Sequence, residues 1–212
     1  MLKLFATGLV GLVIVVLAEI AWRVWRIPNE ISRKSVHICI ACFVAFWPLY
    51  LSYQTIGFIA ILLLIITILS SRLAILGSIH EVSRQSFGAY LFPISILVLA
   101  LIKPEHLIFT LAMLNLGLAD GFPALIGRKF GDSNKYKVFG QTKSVTGTTS
   151  AFLASILILS VAKFVDGPQL VLLSWFGVFM LAVLVALTEN IAALGTDDLL
   201  VPLVVTLVLK SL

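Results

Sequence analysis

His106-Leu-Ile-Phe-Thr-Leu-Ala-Met-Leu-Asn-Leu-Gly-Leu-Ala-Asp120-Gly-Phe-Pro-Ala-Leu-Ile126 is a segment ready to cross a bilayer, with a single carboxylate left inside it. At a rise of ~1.5 Å per residue such a run covers about 30 Å, the thickness of a hydrocarbon core. A carboxylate at the centre of a spanning helix costs roughly 2.5 to 3.5 kcal/mol, so it is kept mainly where it faces a cavity, an ion or a partner. Asp120 is therefore the residue around which a function is built.

The rest of the chain supports the membrane reading. Of 212 residues, 60% are hydrophobic and 12% charged, and the mean hydropathy is +1.13. That leaves too little polar surface to cover a soluble globule. Further apolar runs lie at 4–22, 36–51, 55–71, 87–102, 148–162, 170–188 and 199–209. The last is short for a full crossing, so seven or eight spans are expected. The connections are brief, which predicts an all-α polytopic transmembrane bundle forming a single integral-membrane domain over 1–212. Residues 71–86 mix Arg72, His80, Glu81 and Arg84 with Leu73, Ile75, Leu76, Ile79 and Val82, as an amphipathic helix lying at the interface would. Cys39 and Cys42 read as small hydrophobes within a span.

Arg23, Arg26, Arg33, Lys34, Arg72, Arg84, Arg128, Lys129, Lys135, Lys137 and Lys143 fall on one side if there are eight spans, leaving Lys3, Lys103, Lys163 and Lys210 for the other. The positive-inside rule then sets the amino terminus outside and the polar loops in the cytoplasm.

Four polar clusters converge on that cytoplasmic side. In the first, Arg33, Lys34 and His37 stand at helical spacings of three and four and can face one anion; a snorkelling interfacial anchor is the plainer alternative. The second is Asn115 to Arg128, where Gly117 and Gly121 permit close helix approach. Pro123 invites a kink that leaves carbonyls free near Asp120. Asp120 is expected to bind Mg²⁺ or to act as a catalytic base, the plainer alternative being a pair with a buried Arg or Lys. The third, 131–150, combines glycines, lysines and hydroxyls before a helix start, as a polyphosphate site needs. It is not a Walker loop, because Gly140 and Lys143 are not adjacent. The fourth sets Glu189, Asp197 and Asp198 around a turn, and carboxylates opposite a basic loop suit Mg²⁺ held between protein and substrate phosphates.

Taken together, Ser32-Arg33-Lys34-x-x-His37, Ala119-Asp120-Gly121…Gly127-Arg128-x-Phe130-Gly131, Lys143-Ser144-x-x-Gly147-Thr148 and Glu189…Gly195-x-Asp197-x-Leu199-x-x-Pro202 resemble the membrane-embedded lipid kinases. That family includes phytol and farnesol kinases, dolichol kinase and the CTP-dependent diacylglycerol kinases, and is related to the phosphatidate cytidylyltransferases. The resemblance implies CTP as donor, Mg²⁺ as cofactor and a lipid alcohol such as a polyprenol, phytol or diacylglycerol as acceptor. It makes Asp120 the central carboxylate, with Arg128 and Lys143 on the phosphates and Glu189 and Asp197 completing the acidic site. Arg33, Lys34, His37, Lys129, Gly131, Ser144, Gly147 and Thr148 are the expected nucleotide or phosphate contacts, and Asn115 and Asn190 further polar lining. Family members usually read Asp-Asn where this chain has Asp197-Asp198, so the added charge either binds metal or alters nucleotide preference. Membrane lipids, and no nucleic acid, are the other expected partners. A cytidylyltransferase-like enzyme and a non-enzymatic ion or solute transporter are the competing readings.

Overall fold

The computed structural model describes residues 2–25, 29–72, 87–165 and 173–212. Helix α1 covers Leu2–Trp25, α2 Asn29–Ala45, α3 Tyr53–Arg72 and α4 Gly88–Ile102. A central helix follows, α5 (His106–Leu114) and α6 (Asp120–Phe130) joined through a π-helical turn at Asn115–Ala119. Strands β1 (Lys135–Val138) and β2 (Gln141–Ser144) form a hairpin, and α7 (Val145–Val165), α8 (Trp175–Ile191) and α9 (Asp197–Lys210) complete the described chain. The interfacial helix expected over 71–86 falls, from residue 73 onward, outside the described residues.

Among the described residues, four helical stretches are long and apolar enough to cross a membrane: Lys3–Ala21, Tyr53–Arg72, His106–Phe130 and Val145–Val165. Gly88–Ile102 and Trp175–Ile191 are apolar but shorter. Burial sorts them. The central helix has 67% of its most apolar window inside the protein, against 6% for α1. Hence α1 faces outward with Phe5, Leu12 and Leu17, and Phe58, Leu157, Phe176 and Leu187 are likewise exposed on α3, α7 and α8. Apolar surface on this scale needs an apolar solvent, so the chain is a membrane protein. The interior is built from Phe109, Met113 and Leu116 of the central helix, with Ala41 and Val44 of α2, Leu99 of α4, Leu159 of α7, Leu181 and Val185 of α8, and Val201 and Val205 of α9.

Two local details position the site. α2 begins earlier than the apolar run suggests and ends at Ala45, ahead of a 3₁₀ turn at Trp47–Leu49. Pro48 has no N–H to continue the helical ladder to the Val44 carbonyl. Arg33, Lys34 and His37 consequently lie within the helix. The approach of α2 to the central helix depends on glycine: a Cβ on Gly117 would come within 2.8 Å of Ala41 Cβ, and one on Gly121 would overlap the Ile38 side chain. The small-xxx-small pattern thus brings α2 against the turn that carries Asp120.

Candidate active site

Asp120 is 1% exposed at the point where the π turn gives way to α6. The kink expected from Pro123 takes the form of this wider turn, whose last residue, Ala119, is four residues before the proline and would lose its helical donor there. The Leu116 carbonyl in that turn lies 3.2 Å from His37 Nε2. A carbonyl can only accept, so Nε2 carries the hydrogen.

Lys34 Nζ donates to both Asp120 oxygens, at 2.8 and 2.6 Å, and is itself 6% exposed. The pair expected as the plainer alternative is therefore present. His37 Nε2 lies 3.3 Å from Asp120 Oδ2 and 3.5 Å from Asp198 Oδ1, with its ring edge-on to Phe92. His37 stands behind Asp120 instead of lining the open space, and Asp198 stands with it.

That open space is a cavity of about 270 Å³ at one end of the bundle. α2 contributes Arg33 and Lys34; the central helix contributes Asp120, Pro123, Ala124, Gly127 and Arg128; the hairpin region contributes Asp132, Lys135, Thr142, Lys143 and Ser144. Gly147 and Thr148 come from α7, Glu189 from α8, Gly195 from the turn after it and Asp197 from the start of α9. Leu194 and Gly195 both have positive φ, 55° and 91°, and turn the chain so that Asp197 and Asp198 open α9, where the helix dipole favours anions.

The hairpin lies within the stretch 131–150 that the sequence marks as a polyphosphate site, where no strands were expected. Its two-residue turn, Phe139-Gly140, has φ 45° and 78°, the hand that matches strand twist. Tyr136 pairs with Lys143 and Lys135 with Ser144. Tyr136 also bonds the Thr148 hydroxyl, and Ser144 Oγ accepts from Gly147 N at 3.1 Å, which ties the hairpin to the start of α7. Asp132, Lys135 and Thr142, which lie in that stretch but were not among the individually expected contacts, line the cavity because of this fold. The signal was present in the alternation Lys135-Tyr-Lys-Val138 before Phe-Gly. Lys135 lies 2.6 Å from Asp132 and holds that exposed carboxyl below its ordinary range.

Other expected contacts fall elsewhere. Lys129 is exposed over the Phe130 ring, and Gly131 packs against Ser144. Asn115 is fully buried and donates to Leu111 O. Neither it nor Asn190 lines the cavity. Lys143 Nζ, assigned to phosphate by the resemblance, donates to Glu189 Oε1 at 2.5 Å and to the Glu189 carbonyl at 2.9 Å.

The acidic side chains form two groups, Asp120–Glu189–Asp197 and His37–Asp120–Asp198, whose ligand atoms lie within 4.8 Å of one another in each group. The first fits a hard divalent cation. It offers three carboxylates at the cavity, and Glu189 Oε2 is buried with no hydrogen-bond partner among the described residues. Oxygens of Asp120 and Asp197 lie within 4.8 Å of each other, and carboxylates that close favour a proton or a cation between them.

A buried acidic group facing basic side chains at one end of a membrane bundle defines a membrane-embedded enzyme suited to phosphate chemistry. No family model matches the chain, and no solved structure does. The phytol kinase of Synechocystis sp. is 34% identical over 183 residues, covering 83% of this chain and 76% of that protein. The chain belongs to the phytol kinase family, and it is a membrane-embedded lipid kinase.

Proposed function

We propose that the protein transfers the terminal phosphoryl group of CTP to the hydroxyl of an isoprenoid alcohol of the phytol type, with Mg²⁺ as cofactor and with the site at the cytoplasmic face. The observation that carries this reading is the cavity itself, where Asp120, Glu189 and Asp197 face Arg33, Arg128 and Lys135. The name of the Synechocystis relative supports the choice of acceptor.

Phosphoryl transfer asks a protein for position and charge neutralisation more than for covalent chemistry. Arg33, Arg128 and Lys135 bind the phosphates, the arginines through their planar forks. Gly147 and Thr148 lie in the first turn of α7 with Ser144 just before it, and the helix dipole favours the same anion. Lys34 and His37 fix the Asp120 carboxylate. Mg²⁺ would be held by Asp120, Glu189 and Asp197, and it supplies neutralisation of charge on the phosphate oxygens. The alcohol oxygen attacks the terminal phosphorus, the bond to the bridging oxygen breaks, and CDP leaves. The hydroxyl proton passes to Asp197, which has no ion pair to a lysine or arginine among the described residues, whereas Lys34 holds Asp120 and Lys143 holds Glu189.

The experiment is phosphate transfer in liposomes, with labelled CTP and ATP supplied separately against phytol, farnesol, a long polyprenol and diacylglycerol. Phytyl phosphate and CDP are expected with CTP, and a loss of at least about 100-fold in Asp120→Asn. Full activity in that variant would remove Asp120 from the mechanism. Release of pyrophosphate in place of CDP would replace the kinase reading with cytidylyl transfer.

A further inference from the structure

We propose that Glu189 and an incoming polyphosphate compete for Lys143, so that nucleotide binding draws the lysine away and releases Glu189 to the cation. This rests on the nucleotide and metal reading above.

The two lysines paired with the buried carboxylates are held differently. Lys34 bonds both oxygens of Asp120 deep within the bundle. Lys143 projects from the hairpin strand β2, keeps 16% of its side chain exposed, and bonds only one oxygen of Glu189 together with the main-chain carbonyl. The other oxygen, Oε2, is buried without a hydrogen-bond partner among the described residues, in a residue only 4% exposed. An unsatisfied buried carboxylate oxygen beside Asp120 and Asp197 leaves the acidic group incomplete, and a cation would complete it.

A cation on Glu189 and an ammonium 2.5 Å from its Oε1 would repel each other strongly at this low dielectric. The repulsion is relieved when the ammonium moves to another anion. Lys143 lines the same cavity as Arg33 and Arg128, so polyphosphate bound to those arginines lies within reach of its flexible stem. Cation binding is then tighter where phosphate has taken the lysine. Such coupling favours metal loading in the nucleotide complex.

The test is Mn²⁺ affinity, read as free Mn²⁺ by electron paramagnetic resonance, for the full chain in detergent with and without CTP. The wild-type protein should bind Mn²⁺ weakly alone and tightly with CTP. Lys143→Met and Lys143→Gln should bind it about tenfold more tightly without CTP, the effect expected from removing one charge-assisted hydrogen bond to a ligand carboxylate. Lys143→Arg, which keeps that bond, should behave as wild type. Arg128→Met removes a cavity charge that has no ion pair to a carboxylate among the described residues, and it should show no gain. Unchanged affinity in both Lys143 variants, or an equal gain in Arg128→Met, would overturn the proposal. Absence of Mn²⁺ binding by any of the proteins with CTP present would instead overturn the metal-site reading, and the proposal with it.

Discussion

Lys34 and Asp120 are 86 residues apart in sequence and form the most buried ion pair at the site. Removing one partner of such a pair leaves the other charge uncompensated in a low-dielectric interior, at a cost of about 3–5 kcal/mol. Lys34→Met should therefore lower the thermal unfolding temperature in detergent as well as abolish transfer. The double variant Lys34→Met/Asp120→Asn should recover much of the stability and none of the activity. A Lys34→Met protein that unfolds with the wild type would show that the pair is not maintained. Asp120 stood out in the sequence because a charge in an apolar run has to be explained. Its partner did not, because Lys34 sits among Arg33, Ser35 and His37 in a segment that reads equally well as an interfacial anchor. His37 and Asp198 were legible as polar residues, but only their approach across three helices shows that they stand behind Asp120 rather than in the cavity.

At the scale of elements, the docking of α2 on the central helix and the hairpin before α7 decide the shape of the site. Gly121→Leu would force the larger side chain into Ile38 and move α2 together with Arg33 and Lys34. Overpacking of this kind costs roughly 1–3 kcal/mol. The expected outcome is a less stable protein with weakened transfer, partly restored by Ile38→Ala in the same chain, as measured by unfolding and activity in parallel. Failure of Ile38→Ala to restore either would mean that the contact does not set the position of α2. The helices themselves were legible, since long apolar runs have few alternatives in a bilayer. The π turn was foreshadowed by Pro123, but a proline specifies a lost hydrogen bond and not the geometry that replaces it. The hairpin was hidden because four-residue strands rich in lysine carry little hydrophobic periodicity.

For the whole molecule, the cavity, the hairpin and the start of α9 lie at one end of the bundle, while Tyr53 bonds the Pro104 carbonyl and Lys163 the Leu173 carbonyl at the other. Single cysteines at Phe139 and at Glu105, in a background lacking Cys39 and Cys42, should label from opposite faces of sealed vesicles, with Phe139 accessible from the cytoplasmic face. Labelling of Phe139 from the outer face would reverse the proposed orientation. By itself the sequence determined that this chain is a helical membrane protein, because apolar content and run length leave the backbone few other ways to satisfy its hydrogen bonds in lipid. It also marked the four polar clusters, because ionisable residues in such a chain are costly unless they are used. Only the tertiary structure decided which of those residues share a cavity, that Lys34 holds Asp120, and that Lys143 rests on Glu189. Those pairings depend on how distant helices pack, and packing against a central helix is set by shape complementarity among residues far apart in sequence.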